Sequence, residues 1–321
     1  MRKTIVVVGS INLDLVVGAD RLPKVGETII GQSFNTFHGG KGANQAVAVA
    51  KLGYPVSMVG NVGSDTFGEQ LRDGLDAVGV DTSYVTKVAG ASGVALITTG
   101  LRGENNIVVV PGANALLTPK LLENAATILK QAGFLLAQLE IPLETVEYLA
   151  HFAERHDIPL MLDPAPAREL SARLLRRVTW ITPNETETQA LLKTSLDSSG
   201  QDEREAAERL LDFGAKNVLL KLGVRGCLIA PGNLSKELVP AFAVNAMDTT
   251  AAGDAFNAGF AVGLLRGFTL TRSAVFASAV AAISVTRPGA QPSMPTLTEV
   301  QAFLNERLGV GALPFAAETT V

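Results

Sequence analysis

The sequence predicts an α/β fold: a doubly wound, mostly parallel sheet with helices on both faces, plus a small β-sheet lid. Short β-branched runs alternate with longer stretches of helical period, and several of those stretches close on glycine, as at Gly53, Gly79 and Gly214. Two intervals, Asp14–Phe37 and Val94–Val110, break that rhythm by alternating apolar and polar side chains around Gly, Pro and Asn turns. With 321 residues, 47% hydrophobic and 18% charged, the chain can bury a large core.

In chain order, Thr4–Val8, Val56–Gly60, Phe134–Gln138, Pro159–Leu162, Trp180–Thr182, Asn217–Lys221 and Gly226–Ile229 read as buried strands, because each is a short apolar run bounded by turn formers. Residues 40–52, 65–78, 118–131, 143–156, 185–193 and 202–214 read as the helices between them. This is the rhythm of a parallel sheet covered on both faces. The two irregular intervals leave no room for covering helices, so antiparallel strands lying over the main domain are expected there. The expected division is 1–13, 38–93 and 111–308 for the main domain, 14–37 and 94–110 for the lid, and 309–321 for a loosely attached tail.

Composition excludes several classes of function. The formal net charge of −4 gives no basic field for nucleic acid, so a bound phosphate must be held locally. A single cysteine, Cys227, permits neither a disulfide framework nor a CxxC pair, and His38, His151 and His156 form no zinc-binding spacing. The apolar stretch Ile5–Val8 is too short for a signal-peptide core, and no segment approaches the ~20 apolar residues needed to cross a bilayer. A cytoplasmic protein without membrane or nucleic-acid partners is expected.

The strongest local signal is Asp248-Thr249-Thr250-Ala251-Ala252-Gly253-Asp254, which opens an apolar-periodic helix. Without bulky side chains at Ala251, Ala252 and Gly253, backbone N–H groups at the helix start can approach a phosphoryl group. Asp254 in the first turn can accept a hydroxyl proton, although acidic residues are also favoured there for capping alone. Phe37-His38-Gly39-Gly40-Lys41-Gly42-Ala43-Asn44 joins a lid strand to a helix, offering backbone at Gly40 and donors at Lys41 and Asn44. It is not a P-loop, since Gly42 stands where Ser or Thr would be needed.

Asn12 and Asp14 lie just past the first strand, where open α/β sheets bind ligands, and the i, i+2 spacing aims both one way in extended chain. An Asx turn is the ordinary alternative. Glu140 follows another strand. Asn184 and Glu187 offer oxygens to a hydrated Mg²⁺, but the same NxxE spacing spells a capping box. Lys221-Leu222-Gly223-Val224-Arg225-Gly226 is a glycine turn suited to passing a nucleotide or simply to joining two strands.

Taken together, GSINLD, GGKGANQAVAVAKLG, LAQLEIP, DPAPAREL, TPNETE, LGVRG, DTTAAGDAFN and VTRPGAQPSMP resemble, in this order, the ribokinase branch of the PfkB-type carbohydrate kinases over about residues 4–308. The resemblance implies ATP-dependent phosphorylation of D-ribose at its 5-hydroxyl. It implies that Asn12, Asp14, Gly40, Lys41, Asn44 and Glu140 hold the sugar, that Asp254 is the catalytic base, and that Ala251, Ala252 and Gly253 make the anion hole. It further implies that Asn184 and Glu187 organise Mg²⁺ and that Lys221, Gly223, Arg225 and Gly226 border the nucleotide, with Ser278 near the adenine. Family members commonly carry Thr where Lys221 stands. A potassium site would draw on Asp248, Thr250, Ser284, Arg287, Gly289 and Ser293. A homodimer through the lid is expected, because Val94, Leu96, Ile107 and Val109 give that small sheet an apolar face which one subunit covers only in part. The rival readings are a kinase for 2-deoxyribose, another furanose or a nucleoside; a non-catalytic sugar-binding regulator; and, more distantly, a nicotinamide-dependent oxidoreductase.

Overall fold

The computed structural model describes residues 4–101, 104–193 and 201–311. Residues 312–321 of the expected tail and 102–103 of the second lid interval lie outside them. The strands are β1 (Thr4–Val8), β2 (Asn12–Gly18), β3 (Ser33–Gly39), β4 (Val56–Gly63), β5 (Asp81–Val88), β6 (Gly93–Thr99), β7 (Asn105–Val110), β8 (Ala132–Ala137), β9 (Leu160–Leu162), β10 (Trp180–Ile181), β11 (Asn217–Lys221), β12 (Cys227–Pro231) and β13 (Glu237–Val239). The helices are α1 (Lys41–Lys51), α2 (Thr66–Ala77), α3 (Pro119–Asn124), α4 (Ala126–Gln131), α5 (Leu143–Arg155), α6 (Ala172–Leu175), α7 (Glu185–Leu192), α8 (Gln201–Asp212), α9 (Ala252–Leu265), α10 (Leu270–Ser284) and α11 (Leu297–Leu308).

Nine strands form one sheet in the order β13-β12-β11-β10-β9-β8-β1-β4-β5, with β12 alone running against the others. Side chains of β1 show why this sheet is covered twice. Ile5 and Val7 pack with α1, α9 and α10 on one face, while Val6 and Val8 pack with α3, α4 and α5 on the other. From β1 the chain moves outward through β4 and β5, then returns to build from β8 in the opposite direction. The order therefore reverses between β1 and β8, which leaves a crevice at their carboxyl ends, where ligands bind in such sheets.

A separate four-stranded sheet has the order β3-β2-β6-β7. One expectation fails here: β2 and β6 run parallel, and only the β2–β3 and β6–β7 pairs are antiparallel. Alternation along a strand fixes which side chains share a face, but not the direction of the neighbour. The helix expected over 118–131 is two, parting at Ala125. Strand β5 and helices α10 and α11 lie outside the elements read from sequence.

Helix α1 lies hard against the end of β1. A Cβ at Gly42 would stand 2.7 Å from the Gly9 carbonyl carbon and from the Ser10 nitrogen, both backbone atoms. Gly42→Val should therefore lower the unfolding free energy by about 1–3 kcal/mol. An unchanged urea midpoint would show that α1 can move off the strand without cost.

Candidate active site

The crevice between β1 and β8 is closed by a short relay. Ser10 Oγ donates to Glu140 Oε2 at 2.5 Å, the Lys41 N–H donates to that same oxygen at 3.1 Å, and the Gly42 N–H donates to Ser10 Oγ at 3.3 Å. Glu140 thus ties the end of β8 to the start of α1. Asn12 and Asp14 lie on one side of β2, as their spacing predicts, and the Asn12 Oδ1 accepts from Asn114 Nδ2 at 2.7 Å. Asn114 also accepts from the Ile11 N–H at 2.9 Å. Burial pushes the Asp14 carboxyl up to about 7, with the carboxylates of Glu140 and Asp254 adding to the effect. Burial opposes the charge on Lys41, but Asp254, Asp163, Glu140 and Glu187 outweigh it and hold the ammonium's pKa above the ordinary lysine value.

Asp254 stands at the centre, 3% exposed. Its Oδ2 accepts from Asn44 Nδ2 at 3.0 Å and its Oδ1 from Gln45 Nε2 at 3.1 Å. Gln45 is oriented in turn by Gln138, whose Nε2 donates to Gln45 Oε1 at 2.7 Å. Burial raises the Asp254 carboxyl to about 6, against the pull of Lys41 and the two amide donors, with Asp163 adding to the rise. The acid is therefore mostly ionised at neutral pH and still basic enough to take a proton.

Helix α9 begins at this carboxylate. Its N-cap, Ala251, adopts a left-handed conformation (φ 59°) and offers no side-chain cap. The Ala252 N–H donates to the Thr249 carbonyl at 3.2 Å, so the amides left without a protein acceptor at this helix start, among the described residues, are those of Ala251, Gly253 and Asp254. Of the three residues expected to meet an anion, Ala252 thus has its amide engaged by protein. The helix start faces a cleft of about 750 Å³ whose walls include Lys41, Asp163, Asn184, Glu187, Lys221 and Ser278, and the apolar residues Val244, Ala281 and Val285. Ser278 Oγ is buried there without a hydrogen-bond partner, and so is Asn44 Oδ1 beside Asp254.

The other expected residues divide. Gly223 and Gly226 line the cleft; Arg225 does not, because its guanidinium is paired with Glu185 and Glu203. Asn184 and Glu187 form a reciprocal capping box on α7, in which Asn184 Oδ1 accepts from the Glu187 N–H and Glu187 Oε2 from the Asn184 N–H, each at 2.8 Å. Burial raises the Glu187 carboxyl as well, countered by Lys221. Around the proposed cation loop, Asp248 accepts from the N–H groups of Thr250 at 2.9 Å and Gly289 at 2.8 Å. Ser284 and Ser293 share a hydroxyl contact at 2.9 Å, and Arg287 pairs with Glu299 at 2.6 Å. Sequence reasoning did not single out Ser10, Gln45, Asn114, Gln138 or Asp163. Only Asp163 carried a visible signal, as a carboxylate directly after a buried strand.

This geometry has known counterparts. Residues 2–297 match the family described as pfkB family carbohydrate kinase. The chain belongs to that family. It is a phosphotransferase, and the site just described lies within the matched span. A ribokinase of Bacillus subtilis is 43% identical over 94% of this chain and 100% of its own length. A deoxyribokinase of Salmonella typhi is 38% identical over 94% of this chain and 98% of its own. Among solved structures, that of Arabidopsis thaliana ribokinase complexed with ribose and ATP superposes with a TM-score of 0.89 at 35% identity, covering 95% of this chain and 99% of that one. Among the described residues no helix is long and apolar enough to cross a membrane.

The raised carboxyls carry a stability consequence. An acid whose folded pKa lies above its unfolded value binds its proton more tightly in the native state. Its stabilising effect is complete below about pH 4 and is lost as the pH rises through about 6 for Asp254 and about 7 for Asp14. Denaturant unfolding of the ligand-free protein should therefore show stability falling from pH 4 to pH 7. In Asp254→Asn that fall should be shallower, leaving the variant more stable than the parent at pH 8 by at most about 3 kcal/mol. Parallel pH profiles for the two proteins would contradict the burial-raised carboxyl.

Proposed function

We propose that this chain transfers the γ-phosphoryl group of ATP to the 5-hydroxyl of D-ribose, giving ribose 5-phosphate and ADP. The observation that carries this reading is the position of Asp254. Its buried carboxylate, basic near neutral pH, stands between a polar crevice and the uncapped start of a helix that faces a long cleft. Asn12, Asp14, Gly40, Lys41, Asn44 and Glu140 hold the sugar in the crevice. The apolar wall of the cleft takes the adenine, with Ser278 supplying a free hydroxyl, and Gly223 and Gly226 let the nucleotide lie against backbone.

Chemistry then follows from placement. Asp254 takes the proton of the sugar hydroxyl as its oxygen attacks the γ-phosphorus in line, and the bond to the β-phosphate breaks with its electron pair staying on ADP. The Gly253 and Asp254 amides, without protein partners at the helix start, meet the charge on the transferred group. Glu187, desolvated in the cleft wall, and Asn184 fit a hydrated Mg²⁺ that would offset phosphate charge. Asp248 and the carbonyl-rich 284–293 loop, joined by Thr250, Ser284, Arg287, Gly289 and Ser293, fit a potassium ion, since an oxygen-only donor set suits a hard monovalent cation. ATP as donor accords with a cytoplasmic setting.

The small sheet serves as a lid over the sugar and as the contact of a homodimer. Ile107, Val108, Val109 and Val110 of edge strand β7 are all exposed, on both faces of the strand, together with Leu96 on β6. A bare apolar edge of this kind invites pairing with a second copy.

ADP release coupled to a reporter, measured with ribose, 2-deoxyribose, fructose and ribonucleosides, tests the reading. Ribose should give the highest kcat/KM, exchange of potassium for sodium should lower it, and Asp254→Asn should lower turnover by roughly 10²–10⁴ while sugar binding survives. A preference for deoxyribose would reassign the acceptor, and no ADP release with any sugar would leave a binding protein. For the lid, Ile107→Asp should weaken both self-association and sugar affinity; light scattering that returns a monomeric mass for the active, sugar-bound parent protein would refute the shared lid.

A further inference from the structure

We infer that Lys221 is a catalytic residue which binds the terminal phosphates of the nucleotide, and that the buried carboxylate of Asp163 aims it there. The inference rests on the kinase reading above and adds a cation to it. Lys221 ends β11, where the cleft begins, and its Nζ lies 2.8 Å from Asp163 Oδ1; the two side chains are 13% and 3% exposed. That ammonium also reaches the first turn of α9, since a Cβ placed on Gly253 would stand 3.3 Å from Lys221 Nζ. The lysine therefore stands beside the helix start at which the amides of Gly253 and Asp254 have no protein acceptor.

Such a placement is unfavourable in itself. A helix start carries partial positive charge, and an ammonium beside it is repelled unless an anion lies between them. Asp163 relieves this only in part, because it is one carboxylate, and its second oxygen already lies 3.4 Å from Gln45 Nε2. An ammonium has three donors, and the Asp163 contact uses one. The two remaining donors and the helix amides are left to meet phosphate oxygens. Lys41 and Lys221 are the cationic side chains in the described cleft wall, and Lys41 stands at the head of α1 beside the sugar residues. Lys221 is thus one of two cations on this cleft, and its ammonium lies against Gly253 at the start of α9.

During transfer the sugar proton goes to Asp254, the new O–P bond forms as the γ-phosphorus leaves the β-bridging oxygen, and ADP keeps the electron pair. Lys221 keeps its proton throughout and hydrogen-bonds the oxygens on which charge collects. Asp163 is a positioning residue. It fixes the lysine before ATP arrives, so less side-chain freedom is lost when the phosphate binds.

The test separates phosphate recognition from the rest of the cleft. Calorimetry with ATP, adenosine and ribose should show that Lys221→Met weakens ATP about tenfold or more and leaves adenosine and ribose affinity unchanged. Turnover should fall roughly 100-fold. If Lys221→Met fails to fold because Asp163 is left unpaired, Lys221→Met/Asp163→Asn removes both charges and should fold with the same selective loss of ATP affinity. ATP affinity and turnover within about twofold of the parent would overturn the proposal. So would an equal loss for ATP and adenosine, which would mark general damage to the cleft. A parent protein that binds ATP but phosphorylates no sugar would refute the kinase reading, and the ATP-against-adenosine comparison would still decide the role of Lys221.

Discussion

A carboxylate that is almost wholly buried must be given donors and a nearby cation, or it takes up a proton; the placement of Asp254 imposes this on everything around it. Its donors, Asn44 and Gln45, come from the other end of the chain, 210 and 209 residues away. Helix α1 therefore has to pack within hydrogen-bond reach of the first turn of α9. That packing is possible because Gly42 sits directly on the backbone at Gly9 and Ser10, where any Cβ would hold the helix off the strand. On its other side α9 is pressed against α10, and a Cβ at Gly259 would stand 2.9 Å from Ala277 Cα. The small residues along these helices follow from the demand made by one charged group at their heads.

The sheet supplies the place for that group. Strand order reverses between β1 and β8, whose carboxyl ends stay paired at Val8 and Ala137 while the helices α1 and α5 that follow pack on opposite faces of the sheet. The gap beyond that pair is spanned through the contacts of Ser10, Glu140 and the Lys41 amide. Two buried polar atoms without protein partners lie here, Asn44 Oδ1 beside Asp254 and Ser278 Oγ in the cleft that continues from the opening. A buried polar atom that lacks a partner is costly, and its persistence in a cleft marks where a ligand completes the bonding.

Much of this was legible in the sequence, and what was not has physical causes. Strands β1 and β11 were readable to the residue, because short runs buried on both faces are apolar throughout and end abruptly at turns. Helices α10 and α11 passed unnoticed. α10 is buried on nearly every side, so it lacks the polar stripe that gives a helix its period. The capping box at Asn184 and Glu187 was visible, but capping and metal binding ask for the same side chains at the same spacing. Asp163 was passed over because an acid directly after a buried strand shows only that it stands at the end of the sheet where ligands bind; its partner is Lys221, 58 residues later, and only folding brings them together.

The small sheet is tied to the crevice by more than proximity. Asn12 opens β2 and pairs in register with Gly93 at the start of β6, while its side chain takes a hydrogen bond from Asn114, just beyond β7. A side chain at Gly93 would run into both asparagines, so the glycine keeps this corner closed. Asn114 also donates to the Ile11 carbonyl at 3.2 Å and accepts from the Ile11 N–H, which fixes the link between β1 and β2. The pivot on which the small sheet hangs is therefore built from the same residues that stand at the mouth of the crevice. A displacement of β6 or β7 must pass through Asn114 to Asn12, and a ligand that fixes Asn12 restrains both strands in return.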